Sequence, residues 1–139
     1  MLLSSPAIIL TAAVTLLAVL ISLAFAIGVA RARRRTGIDA PAMTGSPDLE
    51  RALRIQGNTV EQFAIFLPAL WLAALYFQGW WAPILGLVWC LGRIIYAFVY
   101  GSESKQRFPG FAPTIFSTII LWILAMIGVV QAWMASSAV

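Results

Sequence analysis

Four long apolar runs, separated by shorter polar stretches, organise the chain. A helix needs about 20 mostly apolar residues to cross a bilayer. The runs and their polar flanks predict four membrane-spanning helices, over about residues 6–30, 47–77, 82–100 and 111–134. We therefore expect a single all-α integral membrane domain over residues 1–139, folded as a four-transmembrane-helix bundle.

The first two predicted helices carry signals at their ends. The first run has no charged residue, and its arginines follow it. A secretory signal has a positively charged start, a shorter apolar core and a small-residue cleavage site, so we expect a retained helix. Ser46 and Pro47 suit an N-cap and a first helical position, so the second helix is predicted to begin in the polar linker. Pro68 inside that helix lacks a backbone donor and predicts a kink.

Composition separates this chain from soluble proteins and excludes several kinds of site. It is 62% hydrophobic and 10% charged, whereas soluble domains average roughly 45–50% apolar and about 25% charged residues. The single cysteine, Cys90, excludes an internal disulfide. Without histidine, one chain has no Ser–His or Cys–His catalytic pair and no His-ligated metal, so we expect no metal cofactor.

The charged residues predict the orientation of the bundle. Nine basic and five acidic residues give a net charge of +4, and all lie in the linker after the first helix, in the loop after the third, or in the adjoining helix ends. By the positive-inside rule this side is cytoplasmic and both termini lie opposite, in the inner membrane if the source is bacterial. Trp80, Trp81 and Trp133 then fall near the far interface. This placement argues against a nucleic acid partner.

Two polar stripes enter the apolar region from the charged side. At about 100° per residue, four residues of the second helix lie within about 80° and are joined by Gln62. These four are Arg51, Arg54, Asn58 and Glu61. The third helix has a comparable stripe of Arg93, Tyr96 and Tyr100. Because lipid-facing charges are costly, we expect both stripes to face a pocket that is open to the cytoplasm. Such a pocket suits an anionic guest that also forms hydrogen bonds and carries some positive charge.

Simpler interpretations of the same residues remain open at this point. Arg54 and Glu61 share a helix face and are equally compatible with an intramembrane clamp between helices. The arginines at 31–35 suit a topology anchor, and the tyrosines of the third helix suit interfacial anchors. Gly86 predicts a close approach between helices.

The segment ERALRIQGNTVEQFAIFLPALWLAALY resembles the signature of the membrane-associated proteins in eicosanoid and glutathione metabolism, the MAPEG family. The resemblance is greatest to the branch of microsomal glutathione transferases and leukotriene C synthase. The flanking segments RARRR, GRIIYAFVYG and KQRFPGFAP lie at family-like spacings. The resemblance covers nearly the whole chain, and it departs at Gln62, where close relatives often have a tyrosine.

This resemblance implies a homotrimer of four-helix subunits that binds glutathione between neighbouring subunits at the cytoplasmic side. It implies that residues of the first three helices bind glutathione: Arg33, Arg54, Gln56, Asn58, Glu61, Arg93, Tyr96 and Tyr100. The polar stripe of the second helix adds Arg51 to this predicted binding site. It also implies that Arg107 holds the sulfur as thiolate and that Arg34 acts on the second substrate. A thiolate is the reactive form of a thiol, and a nearby positive charge favours it.

The expected activity is conjugation of glutathione to a lipophilic electrophile that arrives from the bilayer, with reduction of lipid hydroperoxides as an additional activity. Membrane lipid is the other expected partner. Two alternatives remain. In the first, a non-catalytic four-helix protein uses the polar face to bind a lipid head group or a partner subunit. In the second, the enzyme uses another low-molecular-weight thiol.

Overall fold

The computed structural model describes residues 5–101 and 108–137, and its first helix, α1, spans Pro6–Thr36. The Ser5 hydroxyl caps α1 by accepting a hydrogen bond from the Ile8 backbone N–H at 3.3 Å. Gly37 ends α1 in a left-handed conformation (φ 69°), and its N–H donates to the carbonyl of Arg33. At 1.5 Å per residue α1 is about 46 Å long, longer than the roughly 30 Å of hydrocarbon in a bilayer. It therefore runs beyond the predicted end near residue 30 and includes the arginines.

The second helix, α2, spans Pro47–Leu72 and continues as a π-helical segment, Ala73–Phe77. Pro47 occupies the first turn, and Ser46 is the N-cap by backbone conformation, although its side chain forms no capping hydrogen bond. The helix continues through Pro68 and widens into the π segment within two turns. A proline removes one backbone donor, so this part of α2 lacks one helical hydrogen bond.

Helices α3, Trp81–Gly101, and α4, Phe108–Ser136, complete the bundle. The most extensive packing is between α3 and α4; α1 packs against α2 and α3, and α2 also packs against α4. The chain alternates in direction, so the end of α1, the start of α2, the end of α3 and the start of α4 share one end of the bundle. The helix ends that adjoin the predicted charged side therefore lie together at one end of the bundle.

The core is apolar and depends on close contacts between helices. The Phe66 and Trp89 rings stack in parallel, with centroids 4.1 Å apart and planes 6° apart. A Cβ added to Gly86 would lie 2.7 Å from Val14 Cγ1, so the predicted role of Gly86 in close helix approach is confirmed. Such contact at small residues is typical of helices that pack within membranes.

The outer faces of the bundle are also apolar, as expected for a protein whose solvent is lipid. Each of the four helices is long and apolar enough to cross a membrane. Large hydrophobic side chains such as Leu16, Phe98 and Phe116 are exposed on their outer faces. The predicted all-α architecture with four candidate spans is confirmed, and the chain is an integral membrane protein. Its orientation stays a prediction.

Candidate functional site

A polar pocket of about 350 Å³ lies beside the first half of α2, at the end of the bundle that holds the charged linker. Arg54, Gly57, Asn58 and Glu61 line it, with spacings of three and four residues that place them on one face of the helix. The remaining lining comes from the linker and the start of α2: Met43, Thr44, Glu50 and Leu53. The structure thus brings together the three predicted residues Arg54, Asn58 and Glu61.

Asn58 connects this pocket to α3. Its Nδ2 atom donates a hydrogen bond of 2.7 Å to the Oη atom of Tyr96, which is only 4% exposed. The rings of Tyr96 and Tyr100 lie against each other with centroids 5.4 Å apart. Because the Tyr96 hydroxyl accepts from Asn58, it fixes the orientation of the amide at the pocket wall and keeps its own proton available for a further hydrogen bond.

Arg93 lies behind the pocket wall rather than in it. Its side chain is completely buried, Nη2 donates a hydrogen bond of 3.0 Å to Thr59 Oγ1, and the guanidinium carbon lies 4.3 Å from the centre of the Tyr96 ring. The Nε and Nη1 atoms have no hydrogen-bond partner among the described residues. Thus Arg93 shares a helix with Tyr96, as predicted, but it contacts α2 and the Tyr96 ring and does not line the pocket.

Gln62 has a hydrogen-bond partner within the bundle. Its Oε1 atom accepts a hydrogen bond of 3.2 Å from the indole Nε1 of Trp89, whose ring also stacks on Phe63 and Phe66. Since a buried indole N–H needs an acceptor, Gln62 supplies the hydrogen-bond acceptor for Trp89 in the core.

Two predicted site residues on α2 lie outside the pocket lining. Arg51 forms an ion pair with Asp48, with an Nη2–Oδ1 distance of 2.6 Å. Gln56 lies about 200° around the helix from Arg54 and therefore on nearly the opposite face. The predicted stripe is correct in phase for Arg54, Asn58 and Glu61, whereas the placement of Gln56 does not bring it to the same pocket.

The three remaining predicted arginines have different surroundings. Arg33 Nη1 donates to the backbone carbonyls of Ile38 and Ala42, at 3.2 and 2.8 Å, and so holds the linker that supplies Met43 to the pocket. Arg34 is exposed near the end of α1. Arg107, the predicted thiolate-stabilising residue, lies outside the described residues.

Three residues that line or support the pocket, Glu50, Gly57 and Thr59, were not among the predicted site residues. Glu50 and Gly57 lie on the same helical phase as Arg54 and Glu61, so the spacing itself contained this signal. Thr59 was missed because its role as acceptor for Arg93 depends on contact between two helices. Within the described residues no group of three or more potential metal ligands occurs together.

Further along α2, an apolar groove of about 300 Å³ lies on the same face of the helix, on the outer surface between α2 and α4. Ala64, Ile65, Pro68 and Leu72 line it from α2, and Trp122 is among the residues that line it from α4. The polar pocket and the apolar groove therefore succeed each other along one helix.

Comparison with known proteins covers most of the sequence. Residues 10–127 match the MAPEG family. An uncharacterized protein of Synechocystis sp. is 47% identical over 118 residues, which cover 85% of this chain and 86% of that protein. Human microsomal glutathione S-transferase 2 is 37% identical over 126 residues, or 91% and 86% of the two chains. Leukotriene C4 synthase of Cavia porcellus is 40% identical over 115 residues, which cover 83% of this chain and 75% of that protein. With a family match over most of its length and relatives at this identity, the chain belongs to the MAPEG family.

Proposed function

We propose that the protein is a membrane-embedded glutathione transferase that conjugates the glutathione thiolate to lipophilic electrophiles. The observation that carries this proposal is the pocket in which Arg54, Asn58 and Glu61 converge on one face of α2. Two of the relatives are named as a glutathione S-transferase and a leukotriene C4 synthase, which supports the same chemistry. The thiolate sulfur attacks an electrophilic carbon, a carbon–sulfur bond forms, and the leaving group departs with its electron pair.

The pocket residues suit different parts of glutathione, a peptide with two carboxylates and one ammonium group. Arg54 is proposed to bind a carboxylate, because a guanidinium matches its planar geometry. Glu61 suits the ammonium group and Asn58 a backbone amide. Arg107 is proposed to stabilise the thiolate, and Arg34 to act on the second substrate. The other predicted binding residues, away from the pocket lining, are proposed to complete the site or support it: Arg33, Arg51, Gln56, Arg93, Tyr96 and Tyr100.

We further propose that the site forms between subunits of a homotrimer. Arg54 and Glu61 are exposed in the single chain, although they lie on α2 near the start of its apolar part. Charges that face lipid cost several kcal/mol, so a second copy that covers this face would stabilise them. Light scattering of the protein in detergent, corrected for bound detergent, is expected to give three copies; a monomer that binds glutathione with full affinity would contradict this arrangement.

The apolar groove supports a lipophilic second substrate, because it lies along the same helix face as the polar pocket. An electrophile that enters from the bilayer can place its apolar part in lipid or in the groove while its reactive carbon reaches the sulfur. Reduction of lipid hydroperoxides by two molecules of glutathione, which gives the alcohol, water and glutathione disulfide, is a second activity to be assayed.

The test is binding and turnover by the purified full chain. Calorimetry is expected to show saturable glutathione binding that Arg54→Ala and Glu61→Gln each weaken about tenfold, consistent with loss of a charged hydrogen bond of about 1.5 kcal/mol. Arg35→Ala, which removes an exposed arginine at the end of α1, is the control. Conjugation to 1-chloro-2,4-dinitrobenzene is expected to fall in parallel.

The alternatives predict other results in the same assays. A head-group-binding protein would bind anionic phospholipid and show neither glutathione binding nor conjugation. An enzyme with a different thiol would conjugate the electrophile only when that other low-molecular-weight thiol is supplied. Either result would contradict the proposed function.

A further inference from the structure

Arg93 is a positive charge enclosed within the helix bundle. It lies about two turns before the end of α3, and none of its side chain is exposed. In the described part of the chain its only hydrogen bond is to the neutral Thr59 hydroxyl, no carboxylate pairs with it, and Nε and Nη1 have no partner. A buried guanidinium that has no carboxylate partner among the described residues is costly at this depth, and such residues usually serve a function.

The charge lies close to the polar pocket. The guanidinium stacks on the ring of Tyr96, the Tyr96 hydroxyl holds Asn58, and Asn58 lines the pocket. Two side chains, Tyr96 and Asn58, therefore connect the buried cation to the pocket. Because Arg93 has no access to solvent, ions screen its field much less than the field of an exposed arginine.

Among the described residues, the charged groups that line the pocket give no net positive charge. Glu50 and Glu61 line the pocket together with Arg54, so the lining contains two carboxylates and one guanidinium. On α1, Arg33 is directed to carbonyls of the linker. Besides Arg93, the titratable groups on α3 are Cys90, Tyr96 and Tyr100, and none of them is a carboxylate. The described part of α4 contains no charged residue. Arg93 therefore offsets the negative charge of the lining from behind the wall.

We propose that Arg93 is a positioning residue that acts through its charge and favours the thiolate form of the bound thiol without touching it. The inference rests on the proposed function and adds a second cationic group to Arg107. On ionisation the S–H bond breaks, the electron pair stays on sulfur, and the proton leaves to water at the open end of the pocket. The guanidinium also donates to the Thr59 hydroxyl and packs on the Tyr96 ring. Through Tyr96, which accepts a hydrogen bond from Asn58, it also supports the side chains at the pocket wall.

The size of the effect follows from Coulomb's law. For a separation on the order of 10 Å and an effective dielectric constant of about 20, the interaction corresponds to a pKa shift of about one unit. Removal of the charge is therefore expected to raise the pKa of the bound glutathione thiol by about one unit and, below that pKa, to lower the thiolate fraction about tenfold.

The experiment is a pH titration of the ultraviolet thiolate absorbance of glutathione bound to the full chain in detergent. Arg93→Met removes the charge with similar volume, Arg93→Lys keeps the charge, and Thr59→Val removes only the hydrogen-bond acceptor. We expect the raised thiol pKa in Arg93→Met and near wild-type values in Arg93→Lys and Thr59→Val. Thermal unfolding measures the structural cost of each change, and Arg93→Gln is the substitute if Arg93→Met does not fold.

Two results would overturn the inference. One is an unchanged thiol pKa in a folded, glutathione-binding Arg93→Met or Arg93→Gln protein, which would make Arg93 a structural residue only. The other is an equal shift in Thr59→Val, which would assign the effect to packing instead of charge. Calorimetry on the wild-type protein separates this inference from the proposed function, because absence of glutathione binding there would refute the function itself.

Discussion

Tyr96→Phe is the most informative single change at the proposed site, because it removes one hydroxyl and keeps the ring. In the structure that hydroxyl accepts the 2.7 Å hydrogen bond from Asn58, while the ring supports the guanidinium of Arg93 at 4.3 Å. A neutral hydrogen bond contributes about 0.5–1.5 kcal/mol net. If this bond orients Asn58 for the ligand, the glutathione Kd is expected to rise about five-fold for a loss of about 1 kcal/mol.

A double-mutant cycle tests the route by which the hydroxyl acts. Calorimetry would give the glutathione Kd of the wild type, Tyr96→Phe, Asn58→Ala and the double variant in the same detergent. Residues in direct contact show coupling of about 0.5–3 kcal/mol. We therefore expect Tyr96→Phe to change the Kd only slightly once Asn58 is already alanine. Tyr76→Phe, which changes a tyrosine at the other end of the bundle, is the control and is expected to leave the Kd unchanged.

Two outcomes would refute this reasoning. An equal loss of affinity from Tyr96→Phe in both backgrounds would mean that the hydroxyl acts on the ligand independently of Asn58. No loss in either background would mean that the hydrogen bond does not orient the pocket wall. The thermal unfolding of Tyr96→Phe is measured alongside, so that a general loss of stability is recognised.

Three further changes test the packing that supports the site and the charge within it. Gly110→Ala would place a methyl group against the Tyr96 backbone, so we expect a lower unfolding temperature and weaker glutathione binding; Gly28→Ala, where the added atom meets nothing within 4 Å, should change neither. Gln62→Leu removes the acceptor of the Trp89 indole N–H and should lower the free energy of unfolding in detergent by about 1–3 kcal/mol. The glutathione Kd should change little, and a large change in Kd would instead indicate that Gln62 contacts the ligand. Glu61→Lys should abolish binding by charge reversal, whereas unchanged affinity would exclude Glu61 from the site.

The helices were predictable because the apolar runs are long and their ends contain polar residues. The predicted end of α1, near residue 30, is too early, because the helix continues past the end of the apolar run. Arginine is a good helix former, and the helix continues to Thr36 before Gly37 ends it in a left-handed conformation. The π-helical segment Ala73–Phe77, which follows Pro68, has no comparable signal in the pattern of apolar residues.

The face of α2 that forms the pocket was also predictable from helical phase. Arg54, Asn58 and Glu61 are brought together because their spacing alone places them on one side. The depth of each side chain was not predictable. Arg93 and Tyr96 share a stripe on α3, yet only contact between α2 and α3 determines that Arg93 stands behind the wall and that Asn58 turns towards Tyr96.

The linker shows the limit of sequence patterns most clearly. An arginine at the end of a membrane helix indicates topology first, and no spacing rule identifies one that binds the carbonyls of its own linker, as Arg33 does. Met43 and Thr44 reach the pocket only because the linker takes this path. Irregular segments of this kind lack the periodicity from which side-chain direction can be inferred.

The most direct test of the central claim is the ultraviolet thiolate absorbance that appears when glutathione is added to the purified protein at neutral pH, measured for the wild type and for Arg107→Ala. The account predicts a saturable thiolate signal in the wild type that is lost or strongly reduced in Arg107→Ala. A wild-type protein that shows neither this signal nor calorimetric binding of glutathione would contradict the account and would favour a protein that binds lipid head groups or a partner subunit.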